Sequence, residues 1–203
     1  MITAHLWTTP NGFKIAIALE EMGLDYTINW VNLQNGEQRE AAFLAISPNG
    51  RIPAIEDHDT GLRMMESGAI LQYLAERTGR FGGDTLQERA EITEWLHWQM
   101  GGLGPMMGQA NHFRGLTEKV PYGEQRYLDE TVRLFGVLDR QLDGRDYIAG
   151  DYSIADIAAV PWAGMYTYLD EPRLDSFPNV MAWIGRNLAR PATARAIALR
   201  PDA

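Results

Sequence analysis

The sequence predicts two folded domains of different class, an α/β domain followed by an all-α domain. Two short runs rich in β-branched and aromatic residues, 3–7 and 26–31, flank a helical pattern over residues 13–22. A turn signal at residues 57–61 separates a second pair of short strands. From Leu86 onward the patterns are helical without a clear strand, so the fold class changes within the chain.

The elements of the first half follow the order βαβ-α-ββα. The first βαβ unit has its helix ended by Gly23, just past Met22. The later elements are, in order, helical turns at residues 39–45, strands at 52–56 and 62–65, and a helix at 69–77. Glu66-Ser67-Gly68 opens that last helix and Gly79 ends it. This order is that of the thioredoxin fold.

The second half is predicted to be helical throughout. Its helices are expected at residues 87–100, 122–142, 154–168 and 180–188. The Gly-Pro pair before Met106 predicts a break, followed by a loop rich in soft and aromatic side chains: Met106, Met107, His112 and Phe113. The expected domains are therefore residues 1–80 and 86–203, joined by a linker at 81–85, with a cleft between them.

Composition excludes several classes of function. The 203 residues carry 18 basic and 27 acidic side chains, a formal charge of −9, which argues against a nucleic-acid partner or an anionic membrane surface. No apolar run approaches the roughly 20 residues that span a bilayer, and no signal sequence is evident, so we expect a cytoplasmic protein. Because the chain has no cysteine, sulfur redox chemistry must come from a ligand.

The turn Thr9-Pro10-Asn11-Gly12 joins the first strand to a helix predicted to start near Phe13. A helix N-terminus presents unpaired N–H groups and the positive end of the helix dipole, so this turn can bind an anion. The anion could be a phosphate, a carboxylate or a thiolate, although the chain has no G-x-x-x-x-G-K phosphate loop. The ordinary alternative is an N-cap followed by a helix-starting proline.

Three motifs resemble those of the cytosolic glutathione transferases: Ile52-Pro53 before a strand, Glu66-Ser67 opening the third helix, and Ser153-Ile154-Ala155-Asp156 opening a helix of the second half. The resemblance covers the whole chain. It is closest to the bacterial Nu class, through Thr9-Pro10-Asn11-Gly12, Ile46-Ser47-Pro48-Asn49 and the run at residues 95–106. It implies a thioredoxin-like N-terminal domain that binds glutathione, an all-helical glutathione-transferase C-terminal domain, and a homodimer.

The resemblance also implies contacts to glutathione residue by residue. The Ile52 peptide would pair with the cysteinyl residue, beside a cis peptide bond at Pro53. Glu66 would bind the ammonium group, and Ser67 would bind the γ-glutamyl carboxylate at a helix start. The remaining implied contacts come from Gln38 at the glycyl end, from Arg51 as an added charge and from Arg126 in the helical half.

The reactive thiol needs a partner near the first strand. Many relatives use a Tyr, Ser or Cys there, but none of these occurs before Tyr26 in this chain. Only Thr8, Thr9 and Asn11 can serve. Thr9-Pro10-Asn11-Gly12 lies at the place where a thioredoxin keeps Cys-x-x-Cys. The Thr9 hydroxyl and the Asn11 amide or N–H would stabilise the glutathione thiolate without being nucleophiles.

These features favour a glutathione-dependent disulfide-bond reductase that acts on a small disulfide. Two other functions stay open: conjugation of glutathione to small electrophiles, and a non-catalytic regulator that keeps a glutathione site. A third alternative is a membrane-inserting protein like the chloride-channel relatives of this family. The sequence does not favour it, because it contains no membrane-spanning segment. His97 and His112 have no metal-ligand spacing, so we expect no metal. The resemblance implies glutathione as the co-substrate.

Overall fold

The computed structural model describes residues 1–201. It forms two compact units: Met1–Gly82 with the chain from Arg190 onward, and Gly83–Ala189. The first unit contains a four-stranded sheet and the second is helical, which confirms the predicted combination of an α/β and an all-α class. Among the described residues, no helix is both long enough and apolar enough to cross a membrane.

The first unit has the predicted βαβ-α-ββα order. Its elements are β1 (Ile2–Leu6), α1 (Pro10–Met22), β2 (Tyr26–Trp30), a 3-10 turn (Glu37–Arg39), α2 (Ala41–Leu44), β3 (Ala54–Asp57), β4 (Leu62–Met65) and α3 (Ser67–Thr78). The strands lie in the order β2-β1-β3-β4, with β1 parallel to β2 and the other neighbours antiparallel. A crossover helix is what a parallel neighbour requires, and α1 supplies it.

Different helices pack on the two faces of the sheet. Ile2, Ala4 and Leu6 of β1 are buried, and α1 and α3 pack against each other and against the sheet. Side chains alternate between faces along a strand, so His5 points the other way, where its ring lies 6.0 Å from that of Phe43 in α2. The sheet therefore lies between α2 and the α1–α3 pair.

Helix α1 begins earlier than expected. The sequence predicted a start near Phe13, whereas the helix starts at Pro10 with Thr9 as its N-cap. Proline is suited to the first helical position because that residue's N–H would have no acceptor within the helix. Asn11 and Gly12 consequently lie in the first turn of α1 and not in a loop before it.

The second unit contains α4 (Leu86–Trp98), α5 (Gly104–Gly115), α6 (Pro121–Gln141), α7 (Ile154–Ala163) and α8 (Pro178–Leu188). The loop predicted around Met106 is wrong, since Met106, Met107, His112 and Phe113 all lie in α5. A π-helical turn, Gln99–Leu103, leads from α4 into α5. Pro105 sits in the first turn of α5, where proline starts a helix and does not interrupt one.

Helix α7 is shorter than predicted. It ends at Ala163, and a separate 3-10 turn, Tyr166–Leu169, follows where the sequence suggested continued helix. A capping box starts this helix: Ser153 Oγ accepts from a first-turn N–H, and the buried Asp156 carboxylate accepts from the Ser153 N–H at 3.0 Å. The indole N–H of Trp183 donates to the same carboxylate at 2.7 Å.

The last helix, α9 (Pro191–Ala198), was not predicted. It belongs to the first unit and packs on α1. Arg190, its N-cap, makes a two-pronged ion pair with Glu21 at 2.6 and 2.8 Å, and Arg195 donates to Glu20 at 2.7 Å. The compact units thus differ from the expected domain ranges for this final segment.

Candidate functional site

The register of the sheet brings several loop ends together at the carboxyl end of β1. His5 pairs with Ala54, and Ala54 pairs with Met65 on the other side. The start of β3 and the end of β4 therefore lie beside the end of β1. The chain after β2 joins them, since the Val31 N–H donates to the Leu6 carbonyl at 2.9 Å. This edge holds the candidate segments at residues 7–12, 31–38, 50–53 and 66–67.

Thr9 and Asn11 lie at the start of α1 in this edge. The Thr9 Oγ accepts the Gly12 N–H at 3.2 Å, and the Thr9 carbonyl accepts from Phe13 at 2.9 Å. A hydroxyl that accepts through its oxygen still has a hydrogen to donate. Asn11 is half-buried at the second helical position, where backbone N–H groups have no acceptor within the helix.

Ile52 and Pro53 come directly before β3. Their peptide bond is cis, as the family resemblance implied. The sheet ladder starts only at Ala54, so the Ile52 peptide lies outside it, in the position that an extended peptide ligand would need. The Ile52 side chain packs on the cluster formed by Val31, Phe43 and Ala54.

The loop before Ile52 is fixed by local hydrogen bonds. Ser47 is fully buried; its hydroxyl donates to the Arg51 carbonyl at 2.8 Å, and its own carbonyl accepts from Gly50. Gly50 has φ +61 and adopts the left-handed conformation that glycine tolerates best. The Ile52 peptide is thus presented by a rigid turn.

Glu66 and Ser67 begin α3. Glu66 is exposed and has φ +72, an unfavourable backbone conformation for a residue with a side chain. Its carbonyl accepts from Ile70, so the helix depends on that conformation. Ser67 is the first helical residue and is only 3% exposed. The pair presents an acidic side chain, a hydroxyl and helix N–H groups at one point.

Gln38 and Arg51 flank the same edge. Gln38 is half-buried in the 3-10 turn, and its side-chain Oε1 is buried without a hydrogen-bond partner among the described residues. A buried polar atom of this kind is one that a ligand could satisfy. Arg51 is exposed and makes no ion pair within the described part of the chain.

Arg126 lies in the helical unit, apart in the chain from the other eight candidates. It is exposed on α6 and lines a cavity of about 730 Å³. Other residues around that cavity are Met106, Tyr122, Gln125, Tyr127, Asp129, Glu130 and Arg133. Met106, which the sequence predicted to lie in a loop, therefore lines this cavity from helix α5.

Lys14 was missed by the sequence analysis. It lies on α1 with 1% of its surface exposed, and its ammonium group donates to Ser67 Oγ at 3.4 Å. Burial lowers the pKa of Lys14 to about 7, while the Glu66 carboxylate acts to raise it. The available signal was its position three and four residues before Ile17 and Ala18, on the buried face of an apolar helix.

The two histidines of the second half, His97 and His112, make local contacts. The Nδ1 of His97 lies 2.8 Å from the Thr93 carbonyl oxygen, and the ring of His112 contacts that of Phe113. Within residues 1–201, no group of three or more His, Asp or Glu side chains is arranged to hold a metal ion.

Both units match models of known protein families. Residues 8–77 match the N-terminal domain of glutathione S-transferase, and residues 114–191 match its C-terminal domain. The chain is 47% identical to the disulfide-bond oxidoreductase YfcG of Escherichia coli, over 97% of this chain and 94% of that protein.

Solved structures of similar proteins cover nearly the same length. A glutathione transferase family member from Pseudomonas fluorescens, solved with two glutathiones bound, shares 39% identity at a TM-score of 0.90, over 97% of this chain and 92% of that one. A glutathione transferase from Pseudomonas putida, solved with one glutathione disulfide per subunit, shares 38% identity at a TM-score of 0.92, over 98% and 92%.

Proposed function

The chain belongs to the glutathione S-transferase family, and from this we propose that it is a glutathione-dependent disulfide-bond reductase. The observation that supports the proposal most is the sheet register, which gathers Thr9, Asn11, Ile52 and Ser67 at the carboxyl end of β1. The chain has no thiol of its own. A relative with 47% identity carries the name of a disulfide-bond oxidoreductase.

The proposed reaction uses two glutathione molecules. The thiolate of the first attacks one sulfur of a small disulfide, so that a glutathione mixed disulfide forms and a thiolate leaves and takes up a proton. The thiolate of a second glutathione then attacks the glutathione sulfur of that mixed disulfide. The second thiol is released and glutathione disulfide is the oxidised product.

Thr9 and Asn11 would act by stabilising the first thiolate. The Thr9 hydroxyl and the Asn11 amide or N–H would donate to the sulfur at the positive end of α1. Hydrogen bonds to a charged group contribute about 1.5–3 kcal/mol each, which corresponds to a thiol pKa lowered by about one to two units. Glutathione would then carry a large thiolate fraction near neutral pH.

The other candidates would bind and orient glutathione. We propose that the Ile52 peptide, beside the cis Pro53, pairs with its cysteinyl residue, and that Glu66 and Ser67 bind the ammonium and carboxylate of its γ-glutamyl end. The buried Gln38 Oε1 would accept the amide N–H at the glycyl end of glutathione. Arg51 would add a positive charge there. Arg126 would contact glutathione from the helical unit.

An assay of two reactions on one preparation tests this function. Reduction of hydroxyethyl disulfide by glutathione should be rapid, and conjugation of chlorodinitrobenzene should be slow. Pretreatment of the protein with a thiol-alkylating reagent should leave the reduction unchanged, because the chain contains no cysteine. Rapid conjugation without disulfide turnover would favour the transferase alternative. Glutathione binding without either activity would favour a regulator.

We further propose a cytoplasmic homodimer. The reaction needs a supply of reduced glutathione, which the cytosol maintains. The dimer is an expectation from the family. Sedimentation at micromolar concentration should give twice the chain mass of 22.8 kDa, and a monomeric mass would contradict it.

A further inference from the structure

Lys14 is an unusual residue to find inside the first unit. Its side chain is among the largest fully buried ones of the described chain, in a helix whose other buried side chains are almost all aliphatic. Lysine is almost never fully buried unless it is paired. A methionine would fill similar space without the cost of desolvating an ammonium group. This cost calls for a function that an apolar side chain cannot supply.

The contact of Lys14 with Ser67 has a direction. An ammonium group is a donor only, so Ser67 Oγ accepts from Lys14 Nζ across 3.4 Å. This contact holds the Ser67 hydroxyl next to the buried ammonium group. Ser67 also starts the 12-residue helix α3, so its hydroxyl and the first N–H groups lie at the same positive helix end.

We propose that Lys14 is a positioning residue of the glutathione site: it orients the Ser67 hydroxyl and places a buried positive charge behind the point where the γ-glutamyl carboxylate binds. The inference rests on the proposed function, because it takes glutathione as the ligand. Lys14 itself would act through Ser67 and make no contact with the ligand.

A consequence is that ligand binding and protonation of Lys14 are linked. Charged groups occur on the elements around α1, and most have partners: Glu20 with Arg195, Glu21 with Arg190, His5 with Glu56 on the other sheet face, and Arg77 with Asp57, while Arg200 lies over the Phe13 ring. The charge that raises the Lys14 pKa is that of Glu66. A carboxylate bound at Ser67 adds a second negative charge beside Lys14.

The sign of the linkage follows from these charges. In the free protein the pKa of Lys14 is about 7 because burial disfavours the ammonium form. A bound carboxylate favours that form, so it raises the pKa of Lys14 and the complex takes up a proton. Affinity is then highest below about pH 7. It falls as pH rises from the pKa of Lys14 in the free protein to its pKa in the complex, by a total factor of ten for each unit between these two values.

The pKa of Lys14 can be measured directly, because the chain has only two lysines, Lys14 and Lys119. Lysine labelled with carbon-13 at Cε should give two resonances whose midpoints are followed by NMR titration. S-methylglutathione is the probe, because it has no thiol to titrate. We expect the Lys14 midpoint near 7 in the free protein and about one unit or more higher with the probe saturating. The Lys119 resonance is the internal reference, and the probe should leave it unchanged.

The possible results of this titration distinguish a failure of the Lys14 inference from a failure of the proposed function. If the probe binds and the Lys14 midpoint does not move, the inference is wrong and the proposed function stands. If the probe does not bind at all, both are wrong. In parallel, Lys14→Met should bind the probe about tenfold more weakly at pH 6.5 and lose the fall in affinity with pH, while Lys119→Met should match the wild type in both respects. An unchanged affinity for Lys14→Met would also overturn the inference.

Discussion

The α-carbon of Gly12 lies so close to the carbonyl group of Trp7 that a Cβ at this position would overlap the carbonyl oxygen and lie 3.3 Å from the carbonyl carbon. The same carbonyl accepts the Thr9 N–H at 2.7 Å. The end of β1 and the first turn of α1 are thereby held together by backbone contact. The positions of Thr9 and Asn11 depend on this contact, because Thr9 is the N-cap that joins the two segments and Asn11 lies in the first turn of α1.

Gly12→Ala is expected to destabilise the protein by about 3 kcal/mol, since backbone atoms must move to admit the methyl group. Glutathione-dependent activity should fall as well, because the first turn of α1 would shift. Gly185→Ala is the matched control: Gly185 lies in α8 with nothing within 4 Å of its added Cβ. That variant should gain about 0.5–1 kcal/mol. Urea unfolding of both variants checks the prediction, and equal stabilities would contradict it.

Asn11→Ala should shift the pH profile of disulfide reduction upward. The rate rises as the bound thiol ionises and reaches a plateau above its pKa, so loss of a donor should move that plateau by about one unit. The ultraviolet absorbance of the bound thiolate, titrated with pH, measures the same pKa directly. A profile like that of the wild type would remove Asn11 from the mechanism.

Thr9→Ala should have a smaller effect on the profile and an added cost in stability. Its Oγ caps α1 by accepting the Gly12 N–H, and loss of such a cap costs about 1 kcal/mol. Thr9→Ser is the control, since serine keeps both the cap and the donor. If Thr9→Ala unfolds at the same urea concentration as Thr9→Ser, the capping role is wrong.

The combination of Glu66→Gln with Ser67→Ala should weaken glutathione binding by several kcal/mol at most, through the loss of charge-assisted hydrogen bonds. Glutamine keeps the size of the residue at φ +72, so the start of α3 is preserved. Glu76→Gln, exposed on the same helix, is the control. Calorimetric titration with glutathione decides the matter, and an affinity equal to that of the wild type would mean that the groove is assigned wrongly.

Lys14→Met should raise stability while it weakens binding. The pKa of Lys14 is about 7 in the fold and about 10.4 in the unfolded chain, so the unfolded chain binds more protons between these values. Wild-type stability therefore rises with pH across this window. The gain from Lys14→Met should be on the order of a few kcal/mol below pH 7 and should vanish by about pH 10. Urea unfolding at both pH values tests this, and destabilisation at both would contradict it.

The local elements of this protein could be read from its sequence because their signals lie within a few residues. Thr9-Pro10 caps and starts α1, Gly23 ends it with φ +68, and Ser153 with Asp156 caps α7. The order of strands and helices then limits the fold to few topologies. The resemblance to the family also predicted the cis bond before Pro53, which the structure contains.

Tertiary structure decided what depends on residues far apart in the chain. The burial of Lys14 follows from the packing of α1 on α3, and its partner Ser67 lies 53 residues away. The docking of α9 on α1 brings Arg190 to Glu21, which lies 169 residues earlier in the chain. Sequence periodicity carries no record of such pairings, because it reports which face of an element is apolar and not which element will cover that face.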